Sequence, residues 1–220
     1  MYQPSDLERQ ILCSVLGITP TTAPSWHVEN AAAGTGSRLY VHKMIGGWQL
    51  DAGRFVEAVH GLQTNRIDLH VNSPGGIVFD AVAMYEALRS HPARVVAHVD
   101  GLAASAASVL IMAADEIEIA DGGRVMIHDA RGGVWGSPDE IRAHADLVES
   151  ISNDIAGFYA GRAGGTRAKW RQAMRATTWY SATESVRAGL ADRVAGKDSG
   201  PDNRDRLIKA RHRALATRGG

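Results

Sequence analysis

The chain has 220 residues, with 24 Lys and Arg balanced by 24 Asp and Glu. That length builds one sizeable domain with room for an appendage, and the charge balance exerts no global pull towards nucleic acid or an anionic membrane. The single cysteine, Cys13, excludes an internal disulfide framework and fits a reducing compartment. No apolar run reaches the roughly 18 residues of a membrane span, and no secretion-signal pattern opens the chain. HExxH and CxxC are absent and the nine histidines are scattered singly, so no metal and no cofactor is expected.

In residues 1–25, Leu7, Ile11, Leu12 and Val15 recur at helical spacing before Pro20 and Pro24 intervene. A short amphipathic helix and a loop are expected there, as a docking element, a removable leader or the frame of a pore. Trp26 to Glu29 reads as a short strand, and Ala31 to Gly36 as a flexible turn. Leu39 to Met44 is strand-like and Gly46-Gly47 breaks it. Asp51 to Leu62 reads as a helix with Phe55, Val59 and Leu62 on one face. Ile67 to Val71 alternates as a strand. Asn72-Ser73-Pro74-Gly75-Gly76 is a turn whose glycines are free to take positive φ. Ile77 to His91 is a second amphipathic helix, through Val78, Val82, Tyr85 and Leu88.

From Arg94, the β-branched Val95, Val96 and Val99 predict a short buried strand, and Asp100-Gly101 is a turn signal. Small residues then run from Ala103 to Ser108, followed by an apolar helical segment to Ala114. A strand therefore turns sharply into a helix, with Ser105 near the helix's first turn. A hydroxyl there faces unpaired N–H groups and the positive end of the helix dipole. This suits a serine that carries, or adjoins, developing negative charge. It suits equally a serine that merely caps a tightly packed buried helix.

Two short strands, Ile117 to Ile119 and Val125 to Ile127, come next. Repeated strand–helix units with apolar strands predict an α/β fold with mainly parallel strands covered by helices. Without GxGxxG it is not a dinucleotide-binding pattern. Ser137-Pro138-Asp139-Glu140 is a capping box that starts a helix running to about Gly161. Its stripe of Ile141, Ala145, Val148, Ile151, Ile155 and Phe158 suits contact with another subunit, or cover for its own domain. Arg162 to Gly165 ends that helix, and Thr166 to Met174 is a shorter one. Ser181 to Glu184 is a second capping box, opening a helix that ends at Gly189, and Ala191 to Val194 reads as a last strand. Residues 197–220 are polar and rich in arginine, which predicts a disordered tail.

Singly, each motif is modest. Together, a serine at a helix start, His128 at the end of Arg124-Val-Met-Ile-His, and a glycine turn offering N–H groups are the parts of an acyl-transfer site. The N–H groups of Gly76 and Ala106 are candidate oxyanion donors. The motifs resemble the ClpP family of serine peptidases, and most closely the ClpP-like head-maturation proteases of tailed phages and prophages. The resemblance rests on Asn72-Ser73-Pro74-Gly75-Gly76, Gly101-Leu-Ala-Ala-Ser105-Ala-Ala-Ser, Val125-Met-Ile-His128 with Gly132-Gly133, and Trp179-Tyr-Ser-Ala-Thr-Glu184-Ser-Val-Arg-Ala-Gly189-Leu-Ala-Asp192. These stand in the family's order and near its spacing over about residues 38–195.

The resemblance implies a ClpP/crotonase-like spiral of β-β-α units over 26–196, with the helix from Pro138 as a protruding handle. It implies Ser105 as nucleophile, His128 as general base, and Gly76 and Ala106 as oxyanion donors. It implies polypeptide substrates and a homo-oligomer, as a seven-membered ring or double ring. An unfoldase, or a capsid or scaffold protein, is an expected partner; nucleic acid and membrane are not. The setting is the cytoplasm of a bacterial host, or the inside of a phage prohead.

One departure stands out. Where the family carries its triad acid, this chain reads Arg175-Ala-Thr177-Thr178-Trp179. Thr177 accepts a hydrogen bond but cannot stabilise imidazolium by charge. Asp129 is the nearest carboxylate in sequence, yet beside His128 on a strand it should point to the opposite face. The favoured expectation is a weak serine–histidine dyad assisted by Thr177, cutting capsid or scaffold precursor or itself. The alternatives are an inactive ring with a structural role, and a crotonase-type acyl-CoA enzyme, which needs oxyanion donors but not this serine–histidine pair.

Overall fold

The computed structural model describes residues 26–30, 36–46 and 52–196. The helix expected within 1–25, the tail of 197–220 and nearly all of the Ala31–Gly36 turn lie outside them. The described elements, in order, are β1 (Trp26–Asn30), β2 (Ser37–Val41), α1 (Ala52–Gly61), β3 (Arg66–Ser73), α2 (Val78–Ser90) and β4 (Arg94–Ala104). Then come α3 (Ala106–Leu110) running into a 3-10 turn (Ile111–Ala113), β5 (Glu116–Ile119), β6 (Arg124–Ile127) and α4 (Pro138–Ala163). The last are α5 (Arg167–Arg175), β7 (Thr178–Ser181), α6 (Ala182–Ala188) and β8 (Arg193–Val194).

This is the α/β architecture expected. The sheet order is β1-β2-β3-β4-β5-β8, and β6, paired with β7, branches from β4. The pairs among β2, β3, β4, β5 and β8 are parallel, whereas β1–β2 and β6–β7 are antiparallel. One strand makes the branch. The first half of β4 pairs with β5 through Val96–Val99, and its last three residues, Leu102–Ala104, pair with β6. The sheet therefore branches about a single continuous strand.

Asp100-Gly101 does not turn the chain, contrary to its composition. The strand runs through it, and the pairing with β3 shifts register there, from Val71↔Val99 to Ser73↔Ala103. A β carbon on Gly101 would lie 3.0 Å from Asn72 Oδ1. The glycine thus marks a bulge with close approach of the neighbouring strand.

Alternation decides the two faces. Leu39, Val41, Ile67, Leu69, Val71, Val95, Ala97, Val99, Ile117 and Ile119 are buried in one core with Phe55 and Val59 of α1 and Met84 and Leu88 of α2. Each such side chain contributes about 1.5–3 kcal/mol relative to exposure. The opposite face is polar and matched within itself. The rings of His27, Tyr40, His70 and His98 stack in a row across β1 to β4. Asp100 accepts from His70 and His42, and Asp68 from His98 and Arg66.

The capping boxes of α4 and α6 form as expected, and Gly189 closes α6 in a left-handed conformation. Helix α4 is two-part. Ile141 and Leu147 in its first half are 45% and 53% exposed, whereas Ser152, Ile155, Ala156 and Tyr159 are buried. The apolar stripe thus covers its own domain at one end and protrudes, uncovered, at the other. Strand β7 was not legible as a strand. Its four residues are held by pairing with β6 rather than by any alternating pattern.

Candidate active site

Ser105 sits where β4 gives way to α3. Its φ is 54° and ψ −124°, outside the regions that side-chain-bearing residues prefer. Three bonds hold it there. Its N–H donates to the Met126 carbonyl of β6 at 2.8 Å. Its carbonyl accepts from the Ser108 N–H at 2.9 Å and the Ser108 hydroxyl at 2.5 Å. With that proton committed, Ser108 accepts from the Tyr159 hydroxyl of α4 at 2.8 Å. Full burial raises the Tyr159 pKa well above the usual phenol value, so it stays a donor.

The Ser105 hydroxyl caps no helix N–H. It lies 2.7 Å from His128 Nε2 instead. The capping alternative is therefore excluded, and two residues 23 apart in sequence meet within proton-transfer reach. His128 is the first residue beyond β6, whose ladder ends at Ile127. Burial pushes the imidazole pKa below its ordinary value, and the Arg131 charge adds to this. The Asp129 carboxylate and backbone pull weakly the other way. The ring is thus held neutral, the form that accepts a proton from a hydroxyl.

The glycine turn packs directly on this pair. A β carbon on Gly75 (φ 94°) would lie 2.5 Å from the Ala104 carbonyl oxygen, 2.7 Å from Ser105 Cβ and 2.8 Å from the Ala106 nitrogen. No side chain fits there. Ile45 bridges to the turn, its N–H donating to the Gly75 carbonyl and its carbonyl accepting from the Ile77 N–H. That bridge leaves the Gly76 N–H out. Ala106 opens α3, so its N–H has no intrahelical acceptor. Among the described residues neither of these two N–H groups has a backbone acceptor. Ser73 props the turn from behind, its hydroxyl donating to the Lys43 carbonyl at 2.5 Å and accepting from the Gly75 N–H at 3.2 Å.

Thr177 is not joined to this site. His128 Nδ1 is buried and has no hydrogen-bond partner among the described residues. The expected assistance from the Thr177 hydroxyl is therefore absent from the structure. Thr177 has a positive φ of 48°, and its N–H donates to the Met174 carbonyl at the end of α5. The Asp129 carboxylate pairs with Arg171 of α5 and makes no hydrogen bond to the His128 ring. Arg171 carried no signal in the sequence, being one arginine in a polar helix. No group of three or more His, Cys, Asp or Glu among the described residues has metal-binding geometry.

A serine at a strand-to-helix junction, hydrogen-bonded to a histidine on an α/β scaffold, is compatible with a serine hydrolase. The chain belongs to the Clp protease family, whose model matches residues 54–198. It is similar to the ATP-dependent Clp protease proteolytic subunit of Chlorella vulgaris, at 30% identity over 135 residues, which is 60% of this chain and 67% of the relative. It is 28% identical over 140 residues to proteolytic subunit 2 of Corynebacterium glutamicum, covering 63% and 70%. With the proteolytic subunit of Pleurastrum terricola it shares 32% over 131 residues, covering 59% and 67%.

Proposed function

We propose that this chain is a serine endopeptidase in which Ser105 attacks the peptide carbonyl and His128 Nε2 takes the serine proton. His128 returns that proton to the leaving amine, and water repeats the cycle on the acyl-enzyme. The Gly76 and Ala106 N–H groups hold the oxyanion. The observation that carries this reading is the 2.7 Å contact between Ser105 Oγ and His128 Nε2 at a strained strand-to-helix junction. Residues 26–196 form the peptidase domain, with 1–25 and 197–220 appended.

The protein works as a homo-oligomeric ring or double ring that encloses its serines, in the cytoplasm. The protruding end of α4 and the segment before it, where Trp135 is 99% exposed, support that contact. The four ordered motifs favour cleavage of a phage capsid or scaffold precursor, or of the chain itself. A structural ring without turnover is the second reading, favoured by the unpartnered Nδ1 of His128. The Ser105–His128 pair, which an acyl-CoA enzyme does not need, speaks against the third.

A fluorophosphonate probe on the full chain separates the first two, with the assembled mass measured by light scattering. Labelling of wild type but not of Ser105→Ala is the expected result. An assembled, folded protein that takes no label would establish the structural ring.

A further inference from the structure

Serine–histidine sites ordinarily fix the imidazole through its second nitrogen. Here that nitrogen has no partner among the described residues, yet the ring is aimed at Ser105. Something other than a bond to the ring must hold it. The strand does not, because β6 stops at Ile127 and His128 stands beyond the last pair. The two residues after it are tied down instead. The Asp129 carboxylate pairs with the guanidinium of Arg171. The Ala130 N–H donates to the Ser152 hydroxyl at 3.0 Å, and that hydroxyl donates to the Val148 carbonyl at 2.8 Å.

Both anchors are built to be rigid. Ser152 is 1% exposed, and Arg171 at 7% is the one buried charged side chain among the described residues. Arg171 is itself braced, its Nε donating to Asn153 Oδ1 at 2.8 Å while Glu149 lies 3.8 Å from its Nη2. Asn153, Glu149 and Ser152 all belong to α4, and Arg171 to α5. A buried cation that leaves its carboxylate little freedom fixes the direction of the backbone carrying that carboxylate.

We propose that Arg171 and Ser152, acting through Asp129 and Ala130, form a two-point clamp that positions the His128 imidazole in place of a group on its Nδ1. The inference rests on His128 being the base. Arg171, Asp129 and Ser152 are positioning residues, since none touches Ser105. Misplacing a reacting group by about 1 Å costs on the order of 100-fold in rate. The clamp also joins the base to α4, the helix whose far end protrudes, so the seating of that helix bears on the site.

The test is the pH profile of fluorophosphonate labelling of Ser105 in the full-length assembly, for wild type, Asp129→Asn, Arg171→Gln, the double variant and Ser152→Ala. The charged groups facing the ring are Asp129 and Arg131. If Asp129 acts through charge alone, its variant moves the midpoint and leaves the high-pH plateau unchanged. The clamp predicts a plateau roughly 10- to 100-fold lower in Asp129→Asn and in Arg171→Gln, with the double variant no worse than either. It predicts a smaller drop in Ser152→Ala. Plateaus equal to wild type in folded assemblies overturn it.

Imidazole nitrogen spectra of histidine-labelled protein supply a readout independent of activity. The His128 signal, assigned by its loss in His128→Asn, should be a single sharp set in wild type and broadened or doubled in the clamp variants. Unchanged signals reject the clamp. A wild type that takes no label removes the peptidase reading, and the spectra then decide the clamp alone.

Discussion

Replacing Ser105 by glycine should make the protein more stable than replacing it by alanine. Both changes remove the hydroxyl and its bond to His128, so those losses cancel between the two variants. Alanine keeps a β carbon at φ 54° and ψ −124°, whereas glycine removes it. Strain at such a residue costs of order 1–3 kcal/mol. Glycine loses more backbone freedom on folding, worth roughly 0.5–1 kcal/mol in the opposite direction. The balance favours glycine by up to about 2.5 kcal/mol, with a midpoint of about 1 kcal/mol. For a domain of this size that midpoint corresponds to roughly 2–4 °C in melting temperature. The assay is thermal and urea unfolding at one fixed chain concentration, because assembly itself shifts the midpoint. Neither variant should take the fluorophosphonate label. A glycine variant that melts at or below the alanine variant would falsify the claim that the nucleophile position stores backbone strain.

Thr177→Asp should raise the labelling rate at least tenfold if the new carboxylate reaches His128 Nδ1, since loss of such an acid from a related triad costs about four orders of magnitude. It should also move the pH midpoint upward, because a nearby negative charge favours imidazolium; an unchanged rate and midpoint together would show that the carboxylate does not reach the ring. Gly76→Ala should abolish labelling and lower stability by more than about 2 kcal/mol, because its β carbon would meet the Ile45 carbonyl in a backbone of φ 146°; an active, equally stable variant contradicts this. Wild-type labelling should fall with acid through a midpoint below the ordinary histidine value of about 6.5, since burial and Arg131 lower the His128 pKa. Stability follows the same sign: the unfolded chain takes up this proton first as pH falls below about 6.5, so folding weakens from there down to the folded-state pKa. A labelling midpoint above 6.5 refutes the assignment of causes.

The strands and helices with strong periodicity were legible, because burial on one face writes itself into spacing. Ile67 to Val71 and the capped helices from Pro138 and Ser181 are the clearest cases. Asp100-Gly101 misled for a physical reason. The same residues that permit a turn also permit a bulge, and only the neighbouring Asn72 decides between them. Strand β7 was hidden because four residues are too few to alternate, and its existence depends on β6. In the site, Ser105, His128 and the glycine turn were readable as local devices whose chemistries complement one another, and family resemblance added that they belong together. Arg171 and Ser152 were not. Their roles arise from helices that return to the site from 24 and 43 residues beyond His128, and nothing in a polar helix marks which residue turns inward.

The branch in the sheet at β4 has a consequence for how the molecule opens. One uninterrupted segment, Arg94 to Ala104, belongs to both branches and delivers the chain to position 105. The amides of its paired core therefore exchange with solvent only when the whole domain unfolds, whereas the exposed stretch from Arg131 to Ser137, which lies outside helix and strand, exchanges through small local openings. Breathing in that outer stretch leaves the anchorage of the hydroxyl-bearing residue untouched, so local opening and domain integrity are governed by different parts of the chain.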